Sequence, residues 1–125
     1  MVKAVLGVVA GLLAFVVVVT VASPLLRAWP AYAAVAGTMA FTLPMKIARL
    51  TIGALATLAA GFVTVRISRS TAAMWTTGGL LLAAFIPQHI SLWDKFPLWY
   101  HLTFLASLVP LTWVGGRLAS DRAAG

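Results

Sequence analysis

AVLGVVAGLLAFVVVVTVAS, residues Ala4 to Ser23, carries no charged side chain. A helix rises 1.5 Å per residue, so about 20 apolar residues cross the hydrocarbon core of a bilayer. The run is continuous through Val16-Val17-Val18-Val19. A strand of a transmembrane barrel would instead alternate apolar and polar positions. The stretch therefore reads as a membrane-spanning helix. Three further apolar runs follow, over about 45–66, 71–90 and 97–117. The fold class expected is an all-α membrane protein: a four-transmembrane-helix bundle with short loops, one integral domain over 1–125.

Composition agrees. The chain is 62% hydrophobic and 9% charged, against about 25% charged in soluble domains. Its mean hydropathy is +1.04. A soluble fold of this size could not hide so much apolar surface. The first run exceeds the usual signal-peptide core of about 7–15 residues, so it reads as a retained helix. No cysteine is present, which removes thiol redox chemistry and disulfides. The formal net charge is +7. Basic residues scattered at helix ends suit anionic lipid head groups. Without a basic run or a basic helix, no nucleic-acid partner is expected.

The connections are short except one. Ser23-Pro24 is expected to end the first helix, because proline cannot continue the hydrogen-bond ladder. Residues 24–44 carry Pro24, Pro30 and Pro44. Within them an apolar segment, about 31–43, is too short to span and is placed in the interface. The alternative is an outward extension of the second helix past a kink at Pro44. The link Arg66-Ile67-Ser68-Arg69-Ser70-Thr71 offers Ser70 or Thr71 as an N-cap, and its brevity makes its two helices antiparallel neighbours. An aromatic loop, Ser91 to Tyr100, leads to the last helix, which holds Pro110.

Charge sets a weak orientation. With the N-terminus inside, Lys3, Arg66, Arg69, Arg117 and Arg122 face the cytoplasm, and Arg27, Lys46, Arg49 and Lys95 face out. Short basic loops weigh most in the positive-inside rule, and the Arg66/Arg69 link is very short. Both termini are expected in the cytoplasm. The tryptophans fit interfacial belts, with Trp29, Trp93 and Trp99 outside and Trp75 and Trp113 inside.

Helices in lipid associate through small residues. Gly7 and Gly11, with Ala4 and Ala14, form such a stripe. So do Gly53, Thr57, Ala60 and Thr64, and so do Ala72, Thr76, Gly79 and Ala83. Packing within the bundle is the first explanation. A homo-oligomer or a membrane-protein partner is the second. Arg66 and Arg117 each follow a small pair, Ala60-Gly61 and Gly115-Gly116. That hints at a duplicated hairpin, but the helices show no further self-similarity.

Three motifs carry a resemblance: Ala59-Ala60-Gly61-Phe62 with Arg66, Pro97-Leu98-Trp99-Tyr100-His101, and Gly115-Gly116-Arg117-Leu118. Over most of residues 45–118 the chain resembles small four-span bacterial inner-membrane proteins. The resemblance implies architecture only and carries no activity with it; the location expected is the bacterial inner membrane.

The chain has no Glu and only two Asp, Asp94 and Asp121, both outside the apolar runs. That removes proton-coupled four-span exporters, which need a membrane-embedded Glu, and glutathione enzymes with their Arg/Asn/Glu set. Four-span fluoride channels need an intramembrane Asn, and no Asn occurs. No catalytic set remains, so no enzyme activity and no cofactor are expected. What remains is a polar cluster of Arg49, His89, Asp94 and His101 near the outer ends of the helices. The two histidines could hold a metal or a haem, but without a third ligand they read first as interfacial residues. Arg49 lies about one turn into the second helix, where a charge is costly. It can snorkel to lipid phosphate, pair with Asp94, or meet an anionic solute. Thr103 and Ser107 either line a polar track or bond to backbone carbonyls near Pro110. The function expected first is non-enzymatic, acting by helix–helix association as a homo-oligomer or an accessory subunit. The alternative is a small transporter or channel for a small, anionic or lipidic solute.

Overall fold

The computed structural model describes the backbone of residues 2–124 and the side chains of residues 2–120, so Asp121 and Arg122 as charges lie outside the described residues. The chain is all helical. Helix α1 spans Val2–Arg27, α2 Pro30–Val35, α3 Leu43–Ser68, α4 Thr71–Ser91 and α5 Leu98–Ala124, with a 3-10 turn at Trp93–Lys95 before α5. Three of these helices, α1, α3 and α5, are long and apolar enough to cross a membrane. Helix α4 has 21 residues but is less apolar, since Thr71, Thr76, Thr77, Gln88 and His89 interrupt its run.

Two proline expectations are corrected. Pro24 does not end α1, which runs on to Arg27. Ser23 Oγ donates to the Val19 carbonyl at 2.7 Å, and Ala28 N–H donates to the Pro24 carbonyl at 3.0 Å. The turn after Pro24 is intact, so the proline removes one bond of the ladder, that to the carbonyl four residues earlier, and a membrane helix tolerates such a break. Pro44 makes no kink. It sits in the first turn of α3, where its missing N–H would have had no helical partner anyway. The outward extension of α3 is therefore excluded. The 31–43 segment is instead a short helix followed by a turn in which Met39 adopts φ 59°. It folds over one end of the bundle and buries Tyr32 and Phe41.

The α3–α4 link is as tight as expected. Arg69 takes the left-handed conformation (φ 52°) and its N–H caps the Val65 carbonyl at 2.7 Å. Ser70 is the N-cap of α4, its hydroxyl accepting from Ala73 N–H at 3.1 Å.

Small residues set the packing. A methyl added at Gly7 would meet Thr64 and Ser68, and one at Gly11 would meet Ala60 and Thr64, so α1 and α3 are antiparallel. Gly53 meets Phe104, Gly61 meets Thr112, Gly115 meets Leu58, and Gly116 meets Val65. Residue numbers rise together along α3 and α5, so these two helices run parallel. Gly78 faces Val109 and Thr112, and Met74 faces Gly116, which sets α4 antiparallel to α5. The stripes of α1 and α3 are thus covered within the chain.

The α4 stripe is a correction. Ala72, Thr76, Gly79 and Ala83 face outward, and their neighbours Ala73, Thr77 and Gly78 are buried. A methyl at Gly79 would meet nothing within 4 Å. Small residues occur at adjacent positions of α4, so spacing alone could not select the buried face.

Hydroxyls tie the centre together. Buried Thr57, Thr64 and Thr112 each bond to the carbonyl four residues earlier. Thr64 and Thr77 also share a hydrogen bond at 2.9 Å between α3 and α4. Around them pack Phe15, Ala56, Ala60, Leu81 and Leu108.

Candidate functional site

Arg49 stands in the second turn of α3, half-buried beneath the 31–43 segment. Its Nη1–H donates to the Tyr32 hydroxyl at 2.7 Å, and its Nε–H donates to the Tyr100 hydroxyl at 3.2 Å. Both tyrosines are buried. The guanidinium lies 4.9 Å from the Phe41 ring centre and 5.6 Å from that of Phe96. A desolvated cation over an aromatic face gains on the order of 1–2 kcal/mol.

These aromatic rings form one column. Tyr32 stacks on Phe41 at 4.8 Å, Phe41 on Phe96 at 5.9 Å, and Phe96 on Tyr100 at 4.4 Å. The column draws on the segment after α1, on the residue that follows the 3-10 turn and on α5, so three stretches of chain converge to hold one side chain. Asp94 is not a partner of Arg49; it is exposed in the turn. The Asp94 pairing is therefore corrected. The reason is chemical: in an aromatic site phenol oxygens accept from a guanidinium without bringing a second charge out of water.

His89 and His101 do meet. His89 closes α4 and His101 opens α5, and their Nδ1 atoms lie 2.7 Å apart. His101 Nε2 lies 3.2 Å from the Trp93 carbonyl. A carbonyl only accepts, so His101 carries its proton on Nε2 and offers the Nδ1 lone pair. His89 then donates from Nδ1–H and keeps a bare lone pair on Nε2. Trp93 also lies flat on His101, with ring centres 4.7 Å apart and planes 8° apart, which fixes the imidazole. Two nitrogens bound to one tetrahedral zinc would stand about 3.3 Å apart. The contact is thus a hydrogen bond, and it occupies the two Nδ1 positions. No group of three or more His, Cys, Asp or Glu able to hold a metal occurs among the described residues.

Between α1, α3, α4 and α5 lies a cleft of about 160 Å³. Its apolar wall includes Phe15, Ile52, Phe85 and Phe104, and its polar lining is Ser23, Arg49, Gln88, His89 and Tyr100. Among the described residues no buried side-chain nitrogen or oxygen lacks a partner. Among the described residues Arg49 Nη2 and His89 Nε2 have no hydrogen-bond partner, so neither atom is fully buried. The cleft therefore presents an uncompensated guanidinium and an imidazole lone pair against aromatic walls.

Of the expected cluster, Arg49 and His89 line the cleft, His101 supports it from behind, and Asp94 stays outside. The Thr103/Ser107 track does not form. Thr103 is exposed, and Ser107 Oγ bonds back to the Phe104 carbonyl at 2.8 Å. Gly53 belongs to the site as well as to the packing, since it lines the cleft opposite Phe104. Sequence reading missed Tyr32, Phe41, Phe96 and Tyr100. One signal pointed to them: a buried arginine in a chain nearly free of acids must find its acceptors among hydroxyls and carbonyls.

No family model, curated protein or solved structure matches the chain.

Proposed function

We propose that the chain is a four-span membrane protein that binds a small anionic solute in the Arg49 cleft and transports it. The observation that carries this reading is the free edge of the Arg49 guanidinium, held by two phenols and two aromatic faces in a cleft lined by no carboxylate among the described residues. Two phenols and two rings offset part of the guanidinium's desolvation, but no carboxylate among the described residues supplies the opposite charge. An incoming anion supplies the missing charge.

The fourth crossing rests on geometry. Helices α3 and α5 run parallel and are each long enough to span, so the chain must return between them. Only α4 lies there, and 21 residues of helix reach about 30 Å. Lys3, Arg66, Arg69 and Arg117 then share one end, and the short Arg66/Arg69 link favours that end as cytoplasmic. In this reading the membrane is the bacterial inner membrane, both termini are cytoplasmic, and the cleft opens toward the outer leaflet.

Association with a partner is the weaker reading. Gly7, Gly11, Gly53 and Ala60 are already covered within the chain, which leaves the open face around Gly79 as the smooth surface for a second copy. The test of transport is flux. Proteoliposomes carrying the protein should take up a small carboxylate faster than empty vesicles, and Arg49→Gln should abolish the difference. Equal flux with and without protein refutes transport.

A further inference from the structure

We infer that the occupant of the cleft is a benzene-sized monocarboxylic acid, bound as its anion on Arg49 together with one proton on Nε2 of His89. The inference rests on the anion-binding reading above and adds two things to it, the size class and the proton.

Size comes from the cleft. An apolar cavity of about 150 Å³ accepts benzene, and this one measures about 160 Å³. Phe15, Phe85 and Phe104 wall it with rings: Phe85 stands 5.4 Å from Phe15 and 5.0 Å from Phe104. The rings touch and form one wall, and a single ring or a short branched chain fills the space against it; the cleft is partly open, so a long acyl chain would have to project from it. The one guanidinium suits one carboxylate, and the open Nη2 edge supplies its donors.

The proton comes from the tautomer relay. In the chain Trp93 carbonyl, His101, His89, each N–H already points one way. Protonating His89 at Nε2 leaves every one of these bonds in place and converts the acceptor facing the cleft into a donor. Protonating His101 at Nδ1 instead would drive two N–H groups together at 2.7 Å. The pair therefore holds one extra proton, and it holds it on the cleft side. A neutral acid entering the site gives its O–H proton to His89 Nε2, and its carboxylate is then held between two cationic donors. No other atom is exchanged.

The groups facing His89 are few. From α5 come His101 and Tyr100, with ring centres at 4.9 and 6.3 Å. Arg49 comes from α3, and α1 contributes Phe15, Val19 and Ser23 to the lining with nothing that titrates. Asp94 and Lys95 of the turn are exposed. An anion placed against Arg49 and His89 favours the charged imidazole, so binding takes up a proton.

The probe is benzoate, titrated into the full chain in lipid nanodiscs at several pH values and in buffers of different ionisation heat. The account expects saturable binding with close to one proton taken up, and an affinity that tightens by up to about tenfold per unit fall in pH above the titration of free His89. His89→Gln should still bind benzoate, within about tenfold of the wild type, but with no proton uptake and a flat pH profile. Benzoate binding to the wild type without proton uptake overturns the proton assignment and leaves the anion site standing. Decanoate binding in place of benzoate overturns the size class. If neither binds, the anion reading beneath the inference falls with it. The wild-type pH series needs no mutant, so misfolding of His89→Gln cannot mask the answer.

Discussion

Replacing Gly61 by alanine tests the parallel packing on which the four-span reading depends. A methyl at Gly61 would sit 2.8 Å from the Thr112 carbonyl carbon and 2.9 Å from its Cα, with the carbonyl oxygen closer still. These are backbone atoms of α5, so no rotamer change relieves them. Ordinary contact begins near 3.5 Å, so the carbonyl carbon alone asks α3 and α5 to part by roughly 0.7 Å, and the nearer oxygen asks for more. A gap of that size forfeits a quarter to a half of the dispersion well for each contact along the seam, and Ala60 and Leu108 lie on that seam. Overpacking of this kind costs about 1–3 kcal/mol. Alanine returns about 0.5–1 kcal/mol through its better helix propensity. The expected net loss is on the order of 1–2 kcal/mol. Gly79→Ala is the matched control, because nothing lies within 4 Å of its added methyl; it should be neutral or gain about 0.5–1 kcal/mol. Both can be read from reversible unfolding in mixed micelles. A Gly61→Ala protein as stable as the wild type would refute the α3–α5 seam. A Gly79→Ala protein that loses stability with dilution would instead place a partner on the α4 face.

Other consequences follow from the same geometry. Thr64→Val removes the bonds of Thr64 to Thr77 and to the Ala60 carbonyl while keeping the shape, and leaves the buried Thr77 hydroxyl without its partner; unfolding in micelles should show a loss of about 1–3 kcal/mol. Tyr32→Phe removes the shorter of the two hydrogen bonds to Arg49. It should cost about 1.5–3 kcal/mol as a bond to a charged group, divided between folding stability and anion affinity, and an unchanged protein in both assays would remove Tyr32 from the site. The native chain has no cysteine, so single cysteines report sidedness without background. Lys95→Cys should react with an impermeant maleimide in intact cells and Lys3→Cys only after permeabilisation. The reverse pattern inverts the assigned orientation.

The helices were legible because twenty uncharged residues admit few other structures. The small-residue stripes of α1 and α3 were legible as packing faces, but not that they pack on each other: spacing marks a smooth face without naming its partner. On α4 the buried face was read one position off, because Gly78 and Gly79, like Thr76 and Thr77, are adjacent and similar. Pro24 misled because a proline removes a single bond of the ladder, and a long apolar helix continues past it. Arg49 stood out as a misplaced charge, yet its partners did not. Tyr32 reaches it from 17 residues before and Tyr100 from 51 residues after, and only the fold brings those distances together. The His89–His101 contact was within reach, since a short loop puts the end of α4 beside the start of α5. The direction of its protons needed the Trp93 carbonyl.

Equilibrium binding of labelled benzoate to the protein in nanodiscs, wild type against Arg49→Gln, tests the central claim most directly. The account predicts one saturable site in the wild type. It predicts a loss of at least about tenfold in affinity in Arg49→Gln, the loss expected from removing a hydrogen-bonded charge worth about 1.5–3 kcal/mol. Equal binding by the two proteins would contradict it.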